Sequence, residues 1–170
     1  MQSDKKIVSY HKIKKLTEKF KKQNKKTVLV TGCFDILHLG HLIFFNYAKS
    51  KGDILIVGLG SDETIKKYKG KGRPINNETL RSRLLAGLEI VDYVIICREP
   101  LVNYNMDHLK LTQRVKPDVY VVPLTDKKLE YKRKLIESIG GQFIACRRNP
   151  PNKIKGGIST TKIIEKSQEI

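Results

Sequence analysis

The chain has 170 residues, 39% of them hydrophobic and 30% charged, with recurrent apolar runs between the charges. That length and balance suit one globular domain with a sizeable core and exclude an intrinsically disordered chain. The 34 Lys and Arg against 17 Asp and Glu give a formal charge of +17, a field that attracts nucleotides, phosphorylated metabolites or nucleic acid without choosing among them.

Met1 to Tyr10 lacks the apolar stretch of a signal peptide, and no apolar run approaches the length of a membrane span, so a cytoplasmic protein is expected. Cys33, Cys97 and Cys146 show no paired spacing, which argues against a disulfide framework and against a zinc site. Cys97 and Cys146 sit in apolar runs and read as buried.

From Ser9 to Lys26 the sequence is basic, with Ile13, Leu16 and Phe20 on one stripe. The spacing predicts an amphipathic helix that packs its stripe on the rest and solvates its lysines. Residues 1–26 therefore read as a basic helical extension, and 27–170 as a single domain. Thr27 to Thr31 is a short apolar strand, followed by a helix from Leu42 to Ser50 that ends at Lys51-Gly52. Ile54 to Leu59 is the second strand. The basic run Lys66 to Pro74, with Gly70 and Gly72, reads as a loop. Glu78 to Glu89 is helical, Tyr93 to Cys97 the third strand, Met106 to Val115 helical, and Val119 to Val122 the fourth strand. Lys127 to Ile139 is a helix closed by Gly140-Gly141, Gln142 to Cys146 the fifth strand, and a last helix starts near Thr160. Strands without polar alternation are buried on both faces, and their alternation with helices makes them parallel. The expectation is an α/β, doubly wound, Rossmann-like five-stranded sheet, with ligands beyond the carboxyl ends of its strands.

The chemistry gathers at those ends. The first strand runs into Gly32, whose freedom permits a tight turn that presents backbone N–H groups. His38 and His41, three apart, fall on one face at the start of the next helix, where free N–H groups and the helix dipole already favour an anion. Gly40 between them leaves room for a phosphate or base. No third ligand stands near the histidine pair, so no protein-held metal is expected. Ser159, Thr160 and Thr161 place three hydroxyls at another helix start, behind Gly156-Gly157. The run Lys69-Gly70-Lys71-Gly72-Arg73 is suited to a flexible phosphate clamp.

The string Gly32 to His41, GCFDILHLGH, closely resembles the HxGH motif of the cytidylyltransferase-like nucleotidyltransferases, and Gly157 to Ile164, GISTTKII, resembles their ISTT motif. The likeness spans essentially the whole chain. It implies a nucleotidyltransferase that joins a nucleoside monophosphate to a phosphorylated small molecule and releases pyrophosphate. On that likeness Thr31, Gly32, Cys33, Phe34, Asp35, Gly40, Ile158, Ser159, Thr160 and Thr161 bind the nucleotide. His38, His41, Lys69 and Arg81 are the catalytic candidates, stabilising charge rather than forming a covalent bond, and Cys33 contributes its backbone. Lys71, Arg73 and Asp126 are assigned to the acceptor, and Mg²⁺ is carried by the triphosphate.

Two departures separate subfamilies. KGKGRPINN is similar to the KGxxRPxN loop of the adenylyltransferase domain of ADP-heptose synthase, and Glu89-Ile90-Val91-Asp92 lacks the arginine that cytidylyltransferases carry there. Ile154 and Lys155 likewise stand where those enzymes place an arginine before ISTT. ATP is therefore favoured, with a CTP-dependent glycerol-3-phosphate-type cytidylyltransferase as the alternative. The heptose-type Lys-Gly-Gly after the fourth strand is absent, and Asp126 matches that turn only with a shift of one residue, so the acceptor stays open between sugar and polyol phosphates. From a different class, a non-catalytic nucleotide- or RNA-binding module has only the net charge in its favour. Nucleic acid and membrane are not expected partners, and homodimerisation is left open.

Overall fold

Among the described residues five parallel strands form one sheet, each strand predominantly apolar: β1 (Thr27–Gly32), β2 (Ile54–Gly60), β3 (Tyr93–Cys97), β4 (Val119–Pro123) and β5 (Gln142–Cys146). The computed structural model describes residues 2–98, 108–147 and 159–167. The strands are ordered β3-β2-β1-β4-β5, so chain direction across the sheet reverses between β1 and β4. This is the doubly wound sheet expected, with its switch point at the β1–β4 edge.

Alternate residues of each strand feed two cores. Val28 and Val30 of β1 face one, Leu29 the other. On the first side α2 (Leu39–Lys49) contributes Phe44, Phe45 and Ala48, and α4 (Glu78–Gly87) contributes Leu85 and Ala86. On the second side α1 (Tyr10–Lys22) contributes Ile13 and Phe20, α5 (His108–Val115) Leu111 and Val115, and α6 (Leu129–Glu137) Ile136. Each fully buried large apolar side chain contributes about 1.5–3 kcal/mol, which is why strands with two covered faces read as unbroken apolar runs.

The N-terminal segment is tied into this body. Ser9 caps α1 by accepting from Lys12 N (3.3 Å), Phe20 packs on Tyr93 (ring centroids 5.7 Å), and Ile7 bridges Val94 in parallel at the sheet's β3 edge. The stripe differs from the one expected: Ile13, Thr17 and Phe20 are buried, while Leu16 is half-buried against the core.

Several element boundaries are corrected: α1 ends at Lys22 rather than Lys26, α4 at Gly87 rather than Glu89, and α6 spans Leu129–Glu137 rather than Lys127–Ile139. α2 starts at Leu39 rather than Leu42, immediately after His38. The basic run is a loop only from Gly70, because Asp62 to Lys69 forms a further helix, α3. Ser61 caps α3 by accepting from Thr64 N, Asp62 and Glu63 stand in its first turn and Lys66, Lys67 and Lys69 in its last, an arrangement that complements the helix dipole. The last helix, α7, is Thr160–Ser167. Among the described residues no helix is long and apolar enough to cross a membrane.

Candidate active site

β1 ends at Gly32, and residues 33 to 38 turn the chain into α2. Phe34 takes a left-handed backbone (φ 44°) and lays its ring over Gly32, where a Cβ would lie 2.8 Å from the nearest ring carbon. Only glycine leaves space for that ring. Phe34 then meets His41 edge-on (centroids 5.3 Å), and His41 stacks on His38 (3.8 Å, 23° between planes). His38 is the N-cap of α2, with extended backbone, and its carbonyl accepts from His41 N (2.8 Å). The three-residue spacing thus yields two stacked imidazoles at a helix N-terminus.

His41 borders a cavity of about 370 Å³ at the carboxyl ends of β1 and β4. Thr31, Gly32, Cys33, Phe34, Asp35 and His41 form one wall, and Ser159, Thr160 and Thr161 add to the lining from the start of α7. Tyr68, Lys69 and Arg73 line the α3 side, and Thr125, Asp126 and Lys127 the β4–α6 side. Ser159 caps α7 by accepting from Lys162 N (3.2 Å), and the Thr160 hydroxyl donates to the Ile36 carbonyl (3.3 Å), joining the two motif segments across 124 positions of sequence. His38 lies behind His41, outside the lining, and Gly40 is buried in the first turn of α2. Ile158 and residues 152–157 lie outside the described residues.

Several expected roles change. Arg81, read as a cation facing the substrate, is completely buried and absent from the lining. Its Nε donates to the Asn76 carbonyl (2.9 Å), its Nη1 to the carbonyls of Cys33 (2.7 Å) and Gly60 (2.9 Å), and its Nη2 to Asp62 Oδ1 (2.7 Å). It holds the turn after β1, the end of β2, the start of α3 and the approach to α4 together, so it is a positioning residue. Asp35 is likewise 2% exposed and accepts from Arg73 Nε (2.7 Å), Ile75 N (3.0 Å) and Asn76 N (2.9 Å). It organises the segment that carries Arg73. Glu89 is exposed in the turn after α4 and does not line the cavity, so the contrast drawn from it between nucleotide bases has no local basis.

Burial raises the Cys33 thiol above its ordinary range although Lys69, Arg81 and Arg73 pull the other way, which keeps it protonated and poorly nucleophilic. Lys71, assigned to the acceptor, is exposed and outside the lining, between Gly70 (φ 87°) and Gly72 (φ 84°). Tryptic cleavage after Lys69 and Lys71 is expected to slow when Mg-ATP is present. Equal rates in both states would count against a clamp that orders on the nucleotide.

The sequence reading missed Lys132, which is 3% exposed on α6 and contacts two lining residues. A signal existed: Lys132 shares the buried stripe of α6 with Leu135 and Ile136, three and four positions on. Phe44, Tyr68, Pro123, Thr125 and Lys127 also line the cavity.

Comparison with known proteins agrees with the geometry. The model of the family described as cytidylyltransferase-like matches residues 29–166. A bifunctional protein HldE of Campylobacter jejuni is 40% identical over 149 residues, covering 88% of this chain and 29% of that protein. One of Helicobacter pylori is 41% identical over 154 residues, covering 91% and 30%. The chain therefore spans about 30% of the length of these relatives. The crystal structure of a lipopolysaccharide core biosynthesis protein from Thermoplasma volcanium superposes with a TM-score of 0.61 at 31% identity, covering 72% of this chain and 95% of that one. A pantoate-beta-alanine ligase from Francisella tularensis, 20% identical with a TM-score of 0.59, covers 96% of this chain and 78% of its own and shares the fold alone. With both motif segments meeting across one cavity at the switch point of the sheet, the chain belongs to the cytidylyltransferase-like family of nucleotidyltransferases.

Proposed function

We propose that the protein transfers AMP from ATP to a phosphorylated sugar or polyol and releases pyrophosphate, in the manner of the adenylyltransferase part of an ADP-heptose synthase. The observation that carries this is the convergence on one cavity of His41, Lys69, Arg73 and the N-terminus of α7. That set is cationic or donor-rich, as two phosphorylated substrates require.

In this reading an acceptor phosphate oxygen attacks the α-phosphorus in line. The bond from that phosphorus to the bridging oxygen breaks, and pyrophosphate leaves with the electron pair. The protein's task is positioning and charge stabilisation. His41, held by His38, donates toward the phosphates; Lys69 reaches the same cavity from the α3 side; Ser159 to Thr161 offer N–H groups and hydroxyls to the pyrophosphate. Asp35 and Asp126 are the lining carboxylates among the described residues, and both are engaged by cationic side chains. They therefore do not form a cation cage, and Mg²⁺ enters as part of the metal–triphosphate substrate, shielding its charge.

Preference for ATP rests on the likeness of Lys69 to Asn77, KGKGRPINN, to the loop of the adenylyltransferase domain of ADP-heptose synthase. Incubation with Mg²⁺ and either ATP or CTP, against a panel of sugar and polyol phosphates, is expected to release pyrophosphate with ATP. Release with CTP and not with ATP would replace this reading by the cytidylyltransferase one. Salt-sensitive RNA binding without turnover on any member of the panel would favour a binding module.

A further inference from the structure

Lys132 is an unusual lysine. Its side chain is 4% exposed, its Nζ lies 2.7 Å from Asp126 Oδ2 and 3.3 Å from Thr31 Oγ1, and it stands over the Tyr120 ring (5.7 Å). Thr31 in turn shares a hydrogen with the buried Tyr120 hydroxyl (2.7 Å). Thr31 belongs to β1 and Asp126 to the β4–α6 loop, so one ammonium ties together the two sides of the switch point. Both of these partners line the cavity. Removing an ammonium from water costs several kcal/mol unless a carboxylate and further acceptors replace the lost hydration. Burial accordingly depresses the Lys132 pKa, while Asp126 pulls it back up.

Asp126 is the more exposed of the two carboxylates in a cavity otherwise suited to anions, its side chain 20% exposed against 1% for Asp35. Its Oδ1 accepts from Lys128 N (2.8 Å), but its remaining lone pairs are on a wall where phosphates are expected. An unopposed carboxylate there would repel a phosphate at close range by an amount that grows as water is excluded. We propose that Lys132 is a charge-setting positioning residue: it cancels Asp126 and pins it to Thr31, so that the β4–α6 wall of the cavity admits a phosphorylated substrate. The inference rests on the function proposed above. It narrows that function by assigning Asp126 to neutral, hydroxyl-bearing parts of the substrate, with the phosphates directed to Lys69, Arg73 and the α7 N-terminus.

The test uses pyrophosphate and Mg-ATP as probes, with affinities measured by calorimetry on the full chain. The variants are Lys132→Met, Asp126→Asn and the two combined. Lys132→Met is expected to weaken pyrophosphate binding about tenfold or more, because it leaves a bare carboxylate on the wall. Asp126→Asn, which removes the negative charge, is expected to bind at least as tightly as the wild type. The double variant, with no charge at either place, is expected to recover most of the loss. A purely structural role for the pair predicts that both single variants lose affinity and that the double variant is no better, and that pattern would overturn the inference. So would unchanged binding by Lys132→Met. If Lys132→Met does not fold, Asp126→Asn decides alone: weaker pyrophosphate binding refutes charge cancellation, and equal or tighter binding supports it. Wild-type protein that binds neither probe would instead refute the proposed function itself.

Discussion

Replacing His41 by alanine is expected to lower pyrophosphate release by about a hundredfold or more, and replacing His38 to do the same, with cooperative thermal unfolding retained in both. Loss of one preorganised donor from a site of developing negative charge costs on the order of 3 kcal/mol in the transition state. His41 lines the cavity directly. His38 acts through it, because its ring stacks on that of His41 at 3.8 Å and fixes the orientation of the imidazole that faces the cavity. The two effects are therefore expected to be strongly non-additive. The double variant should be scarcely worse than either single one, as is usual for residues that act as a unit. Initial rates under saturating ATP and acceptor, with melting curves alongside, provide the check. Near-normal turnover by both single variants would remove the histidines from the mechanism.

Arg81→Met is expected to be the most destabilising single change near the site, by about 3 kcal/mol. Methionine fills much of the volume but leaves the buried carbonyls of Cys33 and Gly60 without their donor. Asp62 is 29% exposed and can turn to water, so most of the loss comes from the carbonyls rather than from the broken ion pair. For a chain of this size the midpoint of thermal unfolding should fall by roughly 6–12 °C. Arg81→Lys keeps the charge but not the planar fork, so it can satisfy only part of the set, and it should fall between the wild type and Arg81→Met. Because the Cys33 carbonyl belongs to the turn that shapes the cavity, nucleotide affinity should drop together with stability. A methionine variant with an unaltered denaturation midpoint would show that the buried guanidinium contributes nothing net.

Much of the architecture is legible in the sequence. The five strands stand where the continuous apolar runs lie, because a run without alternation has both faces covered, and β3 and β5 match the residues read for them. The helix α3 was missed because lysines and glycines drew attention to the run's charge, while the capping signal at Ser61 and the acidic first turn precede it. The nucleotide wall was legible because it is local: strand end, glycine turn and helix start lie within ten consecutive residues, Gly32 to His41.

By itself, then, the sequence determined the parallel α/β class, through short-range periodicity, and the family, through the resemblance of two motif segments each formed by residues adjacent in the chain. Which side chains face the ligand and which hold the frame was decided only by the tertiary structure. Arg81 reaches Cys33 across 48 positions, Asp35 reaches Arg73 across 38, and Lys132 reaches Thr31 across 101. Such partnerships follow from the strand order that sets β4 beside β1 and from the direction each side chain leaves its element. A charged residue in one dimension looks the same whether it meets a phosphate or a buried carbonyl. Packing separates the two cases, because a buried guanidinium or ammonium is stable only where the fold brings it enough acceptors to replace water.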